Sequence, residues 1–111
     1  MAAARILLVK DQPKLRAVSE RALRRLGYDV VAVTSGEEAL TRLLRDGERV
    51  DLVICDLHLD GMDGLAVYDA LRALSDRTPF MLASGAPRDV VFLEKPSQLD
   101  ELLDAVRRFP D

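Results

Sequence analysis

Short apolar runs alternate along this chain with segments in which apolar residues recur every three or four positions. Each run is nearly free of polar residues, as expected for a strand buried on both faces of a parallel sheet. The runs predict five strands, over residues 5–9, 29–33, 50–55, 79–83 and 90–94. The periodic segments between them predict amphipathic helices. Strands that alternate with helices indicate an α/β fold, with a parallel sheet covered by helices on both faces.

Four helices are predicted from this periodicity and from residues that favour helix ends. Pro13 suits the first turn of the first helix, and Gly27 suits its end. Ser35 and Glu38 form a capping box that opens the second helix, and the third covers residues 65–74. The residues expected to face inward on these three helices are Leu15, Val18, Ala22, Leu23, Leu26, Ala39, Leu40, Leu43, Leu44, Leu65, Tyr68, Leu71 and Leu74. The last helix begins at Ser97 and carries one apolar stripe, formed by Leu99, Leu102, Leu103 and Val106.

The composition is that of a globular chain, and it excludes several classes of function. The 111 residues suit a single domain with one core, expected over residues 1–111. The formal net charge of -3 gives no electrostatic case for binding nucleic acid. No apolar run has membrane-spanning length and the first residues do not form a signal peptide, so we expect a cytoplasmic location. The single cysteine, Cys55, excludes an internal disulfide and is expected to be a small buried apolar residue.

Four chemically competent side chains follow predicted strands. Asp11, Asp56, Ser84 and Lys95 come just after strands one, three, four and five. Because ligands of open α/β sheets bind at the carboxyl ends of the strands, we expect these side chains to meet at one edge. The two carboxylates would repel each other unless a hard cation such as Mg²⁺ lay between them. A hydroxyl and an ammonium beside them suit a carboxylate that accepts a phosphoryl group.

Four motifs, "LLVKDQP", "LVICDLHLDGMDG", "ASG" and "FLEKP", resemble those of response-regulator receiver domains, the CheY-like family, over nearly the whole chain. The resemblance implies a flavodoxin-like sheet of five parallel strands in the order 2-1-3-4-5. It also implies Mg²⁺-dependent transfer of a phosphoryl group from a sensor histidine kinase or a phosphotransfer protein to one aspartate. No conventional enzyme activity is implied beyond the phosphorylation and dephosphorylation of that aspartate.

The same resemblance assigns roles to individual residues. Asp56 matches the phosphoacceptor, and Ser84 and Lys95 match the hydroxyl and the lysine that hold the phosphoryl group. Phe92 matches the aromatic residue that changes rotamer on activation. The implied metal ligands are the carboxylates of Asp11 and Asp56 and the backbone carbonyl of His58.

Three features depart from the family pattern. Lys10 stands where the family usually has an acid that assists the metal through water, so we expect weaker Mg²⁺ binding. Asp60 stands where the family commonly has proline, and it adds a carboxylate near the site. Only residues 84–89 separate the fourth and fifth strands, so the helix that usually joins them is missing.

The short connection raises a geometric question about the fifth strand. Lys95 reaches the Asp56 edge only if that strand is parallel to its neighbour. The steps from Ser84 to Val90 span at most about 20 Å, just enough to return along a strand of about 17 Å. We therefore predict an extended crossover and a short parallel fifth strand, with a domain-swapped strand as the other arrangement.

Two functions remain open from the sequence. The first is a phosphoacceptor switch, favoured by Asp56, Ser84 and Lys95. The second is a degenerate receiver that binds a partner protein without phosphorylation, favoured by Lys10 and by the missing helix. Loss of that helix is expected to expose apolar surface on strands four and five and on helix 65–74, where a second copy of the chain or another protein would dock. The sequence leaves open whether the chain acts alone or as one receiver of a larger protein.

Overall fold

The structure, a computed structural model, describes residues 4–83 and the backbone of residues 90–94. Its elements in chain order are β1 (Arg5–Val9), α1 (Pro13–Arg25), β2 (Asp29–Val33), α2 (Gly36–Leu40), a π-helical segment (Thr41–Arg45), β3 (Leu52–Asp56), α3 (Gly64–Ala73), β4 (Phe80–Ala83) and β5 (Val90–Glu94). The five predicted strands and the first three predicted helices are all present. The helix predicted after Ser97 lies outside the described residues. None of the helices in the described part of the chain is long and apolar enough to cross a membrane.

The five strands form one sheet in the predicted order, β2-β1-β3-β4-β5. β1 pairs in parallel with β2 and with β3, and β3 pairs in parallel with β4. The ladders bring Val9 opposite Cys55, and Asp56 opposite Ala83. The carboxyl ends of these four strands therefore share one edge of the sheet, as the α/β prediction requires.

The prediction of a parallel fifth strand is wrong, because β5 pairs with β4 in the antiparallel direction. Val90 lies opposite Ala83 and Glu94 lies opposite Phe80, with an irregular register between Phe80 and Met81. Only residues 84–89 join the two strands. A hairpin link of this length has slack, whereas a parallel return would stretch the same residues almost to full extension.

Alternate strand residues build two apolar clusters, one on each face of the sheet. The cluster beneath α2 and α3 consists of Leu7, Val9, Val33, Ala39, Leu43, Val53, Cys55, Leu59, Val67, Leu71, Phe80 and Leu82. The cluster on the α1 side consists of Ile6, Leu8, Leu23, Val30, Leu52, Ile54 and Met81. Burying a side chain of this size contributes about 1.5–3 kcal/mol. The core therefore holds the strand ends in position. Cys55 is buried within it, which confirms the expectation of a small buried apolar residue.

α1 buries only part of the predicted face, because Leu23 is buried as expected but Ser19 is buried as well and three predicted residues are exposed. Ser19 and Leu23 are buried, whereas Leu15 and Val18 are 39% and 42% exposed. Leu26, just past the helix, is 42% exposed as well. Two arginines of α1 act as anchors at the sides of the helix, since they donate hydrogen bonds to the carbonyls of Lys10 and Val30. These anchors orient the helix so that Ser19 and Leu23 point at the sheet.

The second helix opens as predicted and then changes its hydrogen bonding. The Ser35 hydroxyl accepts a hydrogen bond from the backbone N–H of Glu38 at 3.1 Å. The Glu38 carboxylate reaches back and accepts from the backbone N–H of Thr34, also at 3.1 Å. From Thr41 the helix is π-helical, and Asp46 N–H donates to the Thr41 carbonyl at 2.9 Å. Of the predicted inward residues Ala39 and Leu43 are buried, while Leu40 is half-buried and Leu44 is 36% exposed.

α3 buries only part of the predicted face, since Leu71 is buried and Tyr68 packs against Phe80 as expected, whereas Leu65 and Leu74 do not face the core. Gly64, Val67 and Leu71 are buried at helical spacing, while Leu65 and Leu74 are 46% and 64% exposed. The helix begins one residue earlier than predicted, at Gly64, which packs directly on the β3 backbone. This close approach sets the rotation of the helix, so that the face carrying Val67 and Leu71 meets the core.

The apolar surface expected to lie open on β4 is buried. Phe80, Met81 and Leu82 are 0%, 1% and 7% exposed, so the expectation that β4 is left uncovered is wrong. Tyr68 of α3 packs edge-on against Phe80, with the ring centroids 5.5 Å apart. The Arg72 guanidinium lies over the Tyr68 ring, 4.6 Å from its centroid.

Candidate functional site

The ends of β1 and β3 lie side by side at the carboxyl edge of the sheet. Val9 and Cys55 are the last partners of their ladder. Lys10 follows Val9 and Asp56 follows Cys55, so both residues sit at equivalent positions on strands about 4.8 Å apart. Asp11 comes next, where the chain turns towards α1. The ladder alone therefore brings a lysine and two aspartates together.

Asp56 is half-buried, and Lys10, Asp11 and His58 all influence the pKa of its carboxyl. Burial raises the pKa of its carboxyl above the ordinary value of 3.8, because the carboxylate loses hydration. Lys10 lowers that pKa, Asp11 raises it and His58 lowers it. The net direction is upward, so the loss of hydration outweighs the attraction of the Lys10 ammonium. These three residues lie close enough to act on any charge that Asp56 carries.

The Asp11 carboxylate is held by the loop that follows β3. Its Oδ2 atom accepts a hydrogen bond from the backbone N–H of Asp60 at 3.0 Å. A proline at position 60 would have no N–H to donate, so this contact depends on a departure from the family pattern. On the other side, Arg16 of α1 donates to the carbonyl of Lys10 at 2.9 Å and to that of Asp11 at 3.4 Å. The segment from Lys10 to Asp11 is therefore clamped from both sides.

Gly64 positions the backbone of Asp56. A Cβ atom on Gly64 would lie 2.5 Å from the Asp56 carbonyl oxygen and 2.6 Å from Cδ2 of Leu82. The backbone N–H of Gly64 donates to the Leu57 carbonyl at 3.1 Å, and the N–H of Leu57 donates to the Ala83 carbonyl at 2.8 Å. Only a residue without a side chain permits this close packing of α3 on the end of β3.

Two further residues hold the loop that carries His58 and Asp60. Asp63 caps α3, because its Oδ1 atom accepts a hydrogen bond from the Ala66 N–H at 2.9 Å. Gly61 has a φ of +79°, a conformation that favours glycine, and it faces the Glu37 carboxylate at the start of α2. The roles of Gly64, Asp63 and Arg16 were missed from the sequence. An aspartate and a glycine before an apolar helix do signal a cap, but no spacing rule shows that the glycine packs on Asp56.

Cys55 lies in the core directly beneath the site and takes no part in its chemistry. Burial, together with the charges of Asp56 and Asp63, raises the pKa of its thiol to about 12. The thiol therefore stays protonated at neutral pH and is a poor nucleophile and a poor metal ligand. Cys55 acts as a packing residue, as its place in an apolar run suggests.

The structure brings together only part of the predicted site. Asp11, Asp56 and His58 lie at the carboxyl edge with Lys10, and the His58 side chain is exposed. Phe92 is on β5 opposite Met81. Ser84 and Lys95 lie outside the described residues. β5 itself ends at Glu94, opposite the first residue of β4, and so runs away from the Asp56 edge.

The oxygen atoms at this edge suit a hard divalent cation. No three His, Cys, Asp or Glu side chains within residues 4–83 are grouped closely enough to form a metal site by themselves. Mg²⁺ does not need such a group, because it usually binds one or two carboxylates and keeps several waters. The carboxylates of Asp11 and Asp56 and the His58 carbonyl match that donor set. The Lys10 ammonium opposes a cation there.

Comparison with known proteins agrees with this geometry. The family described as "Response regulator receiver domain" matches residues 6–107. Transcriptional regulatory protein TcrA of Mycobacterium tuberculosis is 37% identical, over 93% of this chain and 44% of TcrA. Sensor kinase CckA of Brucella abortus is 33% identical, over 94% of this chain and 12% of the kinase. The chain thus spans less than half the length of these curated relatives.

A solved structure gives the same result at the level of the fold. Response regulator TrrA of Thermotoga maritima, crystallised in complex with Mg²⁺ and BeF, superposes with a TM-score of 0.67. It is 29% identical in sequence, and the match covers 96% of this chain and 98% of TrrA. The sheet order and the elements that carry Asp11 and Asp56 are thus those of a known architecture.

Proposed function

This chain belongs to the response regulator receiver domain family, and from that premise we propose that it is a phosphoacceptor switch of a two-component system. Asp56 is the acceptor. The donor is a phosphohistidine on a sensor histidine kinase or on a phosphotransfer protein. An Asp56 oxygen attacks phosphorus, and the bond from phosphorus to the donor's imidazole nitrogen breaks with its electron pair. The output is a protein–protein contact that depends on the phosphorylated state.

One observation carries the proposal. Asp56 is half-buried at the carboxyl edge of the sheet, with the charges of Lys10, Asp11 and His58 acting on it. A nucleophile in this position is reachable by a phosphodonor, yet it is shielded enough for nearby charges to act strongly. The proposed chemistry needs a carboxylate that holds a dianionic product, and here the Lys10 ammonium and the Asp11 carboxylate both act on Asp56.

Magnesium enters the proposal through the same residues. Asp11, Asp56 and the His58 carbonyl would hold Mg²⁺, which when bound neutralises part of the charge of the phosphoryl group. TrrA, a family member, was solved with Mg²⁺ and BeF. We propose that Lys10 weakens Mg²⁺ binding here, because it replaces a negative charge by a positive one beside both carboxylates.

A mass measurement tests the proposal directly. The protein is incubated with acetyl phosphate and Mg²⁺, and its intact mass is recorded. We expect a gain of one phosphoryl group in the wild type and in Asp69→Asn, which changes an exposed aspartate of α3. Asp56→Asn should show no gain. A wild-type protein that gains no mass, with acetyl phosphate or with a phosphorylated kinase, contradicts the proposed switch.

A second function has support of its own. The antiparallel β5 and the lysine at position 10 both change the expected phosphorylation pocket. They favour a degenerate receiver that binds its partner without phosphorylation. The two functions differ in one outcome, since the degenerate receiver binds the same partner equally well as wild type and as Asp56→Asn.

Four expectations from the sequence stay predictions. They are the cytoplasmic location, a single domain over residues 1–111, the absence of nucleic-acid binding, and a homodimer or protein partner on the face where the usual fourth helix is missing. On α3 the side chains of Leu65 and Leu74 are exposed. Size-exclusion chromatography with light scattering would decide whether a homodimer forms.

A further inference from the structure

The direction of β5 is opposite to the one that the family's phosphoryl-binding lysine requires. By family resemblance, the ammonium that holds the phosphoryl group follows the carboxyl end of the fifth strand. Here that strand ends at Glu94, opposite Phe80, while Asp56 lies beside Ala83 at the other end of β4. From Phe80 to Ala83 the sheet extends about 10 Å. Glu94, the last residue of β5, therefore lies at the end of β4 that is far from Asp56.

Another lysine already stands at the right edge. Lys10 extends the β1 ladder by one residue and Asp56 extends the neighbouring β3 ladder by one, so the two are adjacent in register. The Lys10 backbone is held on both sides, because its N–H donates to the Val33 carbonyl at 3.2 Å and its carbonyl accepts from Arg16 at 2.9 Å. The start of the side chain is thus fixed beside Asp56.

The Lys10 ammonium is available for a new anion. Among the ion pairs formed within the described residues, none involves Lys10. The side chain is half-buried, so water screens it less than a surface lysine. An aspartyl phosphate would place additional negative charge on Asp56, within reach of this ammonium. Lysine commonly binds phosphate as a compact point charge with three donors.

We propose that Lys10, rather than Lys95, supplies the ammonium that binds a phosphoryl oxygen on Asp56. This inference rests on the proposed function of Asp56 as phosphoacceptor. It assigns to one residue two effects of opposite sign. Lys10 repels the Mg²⁺ that the family uses to neutralise the phosphoryl group, and it attracts the phosphoryl group itself. Position 10, where the family usually has an acid that assists metal binding, instead contributes a cation that binds the phosphoryl group.

Binding of beryllofluoride, a stable mimic of the phosphoryl group, tests the inference. Its dissociation constant is measured by ¹⁹F NMR at saturating Mg²⁺ for the wild type, Lys10→Gln, Lys10→Arg and Lys95→Gln. Lys14→Gln, on the exposed first turn of α1, is the neutral control. We expect Lys10→Gln to weaken binding about tenfold or more, with Lys10→Arg restoring most of it, because a hydrogen bond to a charged group is lost and then replaced. Lys95→Gln should change binding about twofold or less.

A second measurement separates this role from a structural one. The Mg²⁺ dissociation constant of each variant is measured without beryllofluoride. Lys10→Gln should bind Mg²⁺ more tightly while it binds beryllofluoride more weakly, a pair of opposite changes that general loss of structure would not produce. Thermal unfolding of the same variants reports their folding.

A loss of beryllofluoride binding in Lys95→Gln as large as that in Lys10→Gln overturns the inference, as does a Lys10→Gln protein that binds like the wild type. If either result accompanies normal phosphorylation of Asp56 by acetyl phosphate, only the inference fails. A wild-type protein that neither gains a phosphoryl group nor binds beryllofluoride overturns both the inference and the proposed function.

Discussion

The two halves of the sheet place their chemistry in different ways. In the half formed by β1 and β3, the last pair of the parallel ladder is Val9 and Cys55. Lys10 and Asp56, which follow them, therefore lie at the same edge. In the half formed by β4 and β5, an antiparallel pair separates Ala83 from Glu94 by the length of a strand. The direction of a strand, more than its sequence motif, therefore decides whether a residue at its end joins the site.

This contrast locates the phosphoacceptor chemistry in the parallel half. Asp11, Asp56 and Lys10 all come from β1, β3 and the residues just after them. The hydrogen bonds that hold the Lys10–Asp11 segment also come from this part of the chain. They are donated by Arg16 of α1 and by the backbone N–H of Asp60. Changes in the parallel half should therefore have large effects on the site, and changes at the end of β5 should have small ones.

The largest expected effect comes from breaking the contact between α3 and β3. Gly64→Ala places a Cβ atom 2.5 Å from the Asp56 carbonyl oxygen, so either the helix or the strand end must move. We expect a loss of about 3 kcal/mol in the free energy of unfolding, measured by urea denaturation. The matched control is Gly47→Ala, at a φ of +67° in open space, which should cost about 1 kcal/mol. Equal losses for the two variants would show that the contact is not tight.

The next effect sharpens the role of position 10. Lys10→Asp restores the acid that the family usually has beside Asp11, and it reverses a charge next to two carboxylates. We expect Mg²⁺ to bind about tenfold more tightly or better, as measured by isothermal titration calorimetry. The Lys14→Asp variant changes the same charge at an exposed position and should have little effect. Unchanged Mg²⁺ affinity in Lys10→Asp would mean that Lys10 does not act on the metal ligands.

A smaller effect comes from the hydrogen bond between Asp60 and Asp11. Asp60→Pro removes the N–H that donates to Asp11 Oδ2, while Asp60→Ala keeps that N–H and removes only the carboxylate. We expect the proline variant to bind Mg²⁺ about two- to fivefold more tightly than the alanine variant, because the Asp11 oxygen is freed for the metal. Equal affinities of the two variants would count against a competition between the loop and the metal.

The smallest effect is the pH dependence of stability from Asp56. Its folded-state pKa is raised, so the folded protein binds this proton more tightly than the unfolded chain does. Stability contributed by the protonated group is present below the ordinary value of 3.8 and is lost as the pH rises through the folded pKa. In urea denaturation, Asp56→Asn should therefore gain stability relative to the wild type as the pH rises from about 4 through the folded pKa of Asp56. If the advantage of Asp56→Asn in the free energy of unfolding fell as the pH rose, folding would lower the pKa of Asp56 and the stated direction would be wrong.

Most of the parallel half could be predicted from the sequence. Each strand is a short, nearly unbroken apolar run, which is typical of a buried strand, and the rule that ligands bind at carboxyl ends selects Asp11 and Asp56. The N-cap at Ser35 was also predictable, because a short polar side chain three residues before a glutamate satisfies the helix end locally. These features depend on neighbours in sequence or on a single strong pattern.

The direction of β5 and the rotation of the helices could not be predicted in the same way. An apolar run such as that of β5 reads the same for a parallel and an antiparallel strand, so the prediction relied on the role assigned to Lys95. α1 carries apolar residues on more than one side, and its orientation depends on hydrogen bonds from Arg16 and Arg24 to backbone carbonyls outside the helix. The rotation of α3 depends on how closely Gly64 approaches Asp56. All three are set by tertiary contacts that periodicity does not record.

The central claim, that Lys10 rather than Lys95 binds the phosphoryl group on Asp56, depends on the direction of β5. Cross-linking measures that direction most directly. Two double variants, Ala83→Cys with Val90→Cys and Ala83→Cys with Glu94→Cys, are oxidised under dilute conditions. Intramolecular disulfides are then quantified by mass spectrometry. The native thiol of Cys55 does not compete, because burial raises its pKa to about 12. The antiparallel register predicts a disulfide between positions 83 and 90 and none between positions 83 and 94. A disulfide between 83 and 94 with none between 83 and 90 would make β5 parallel, and would return the phosphoryl-binding role to Lys95.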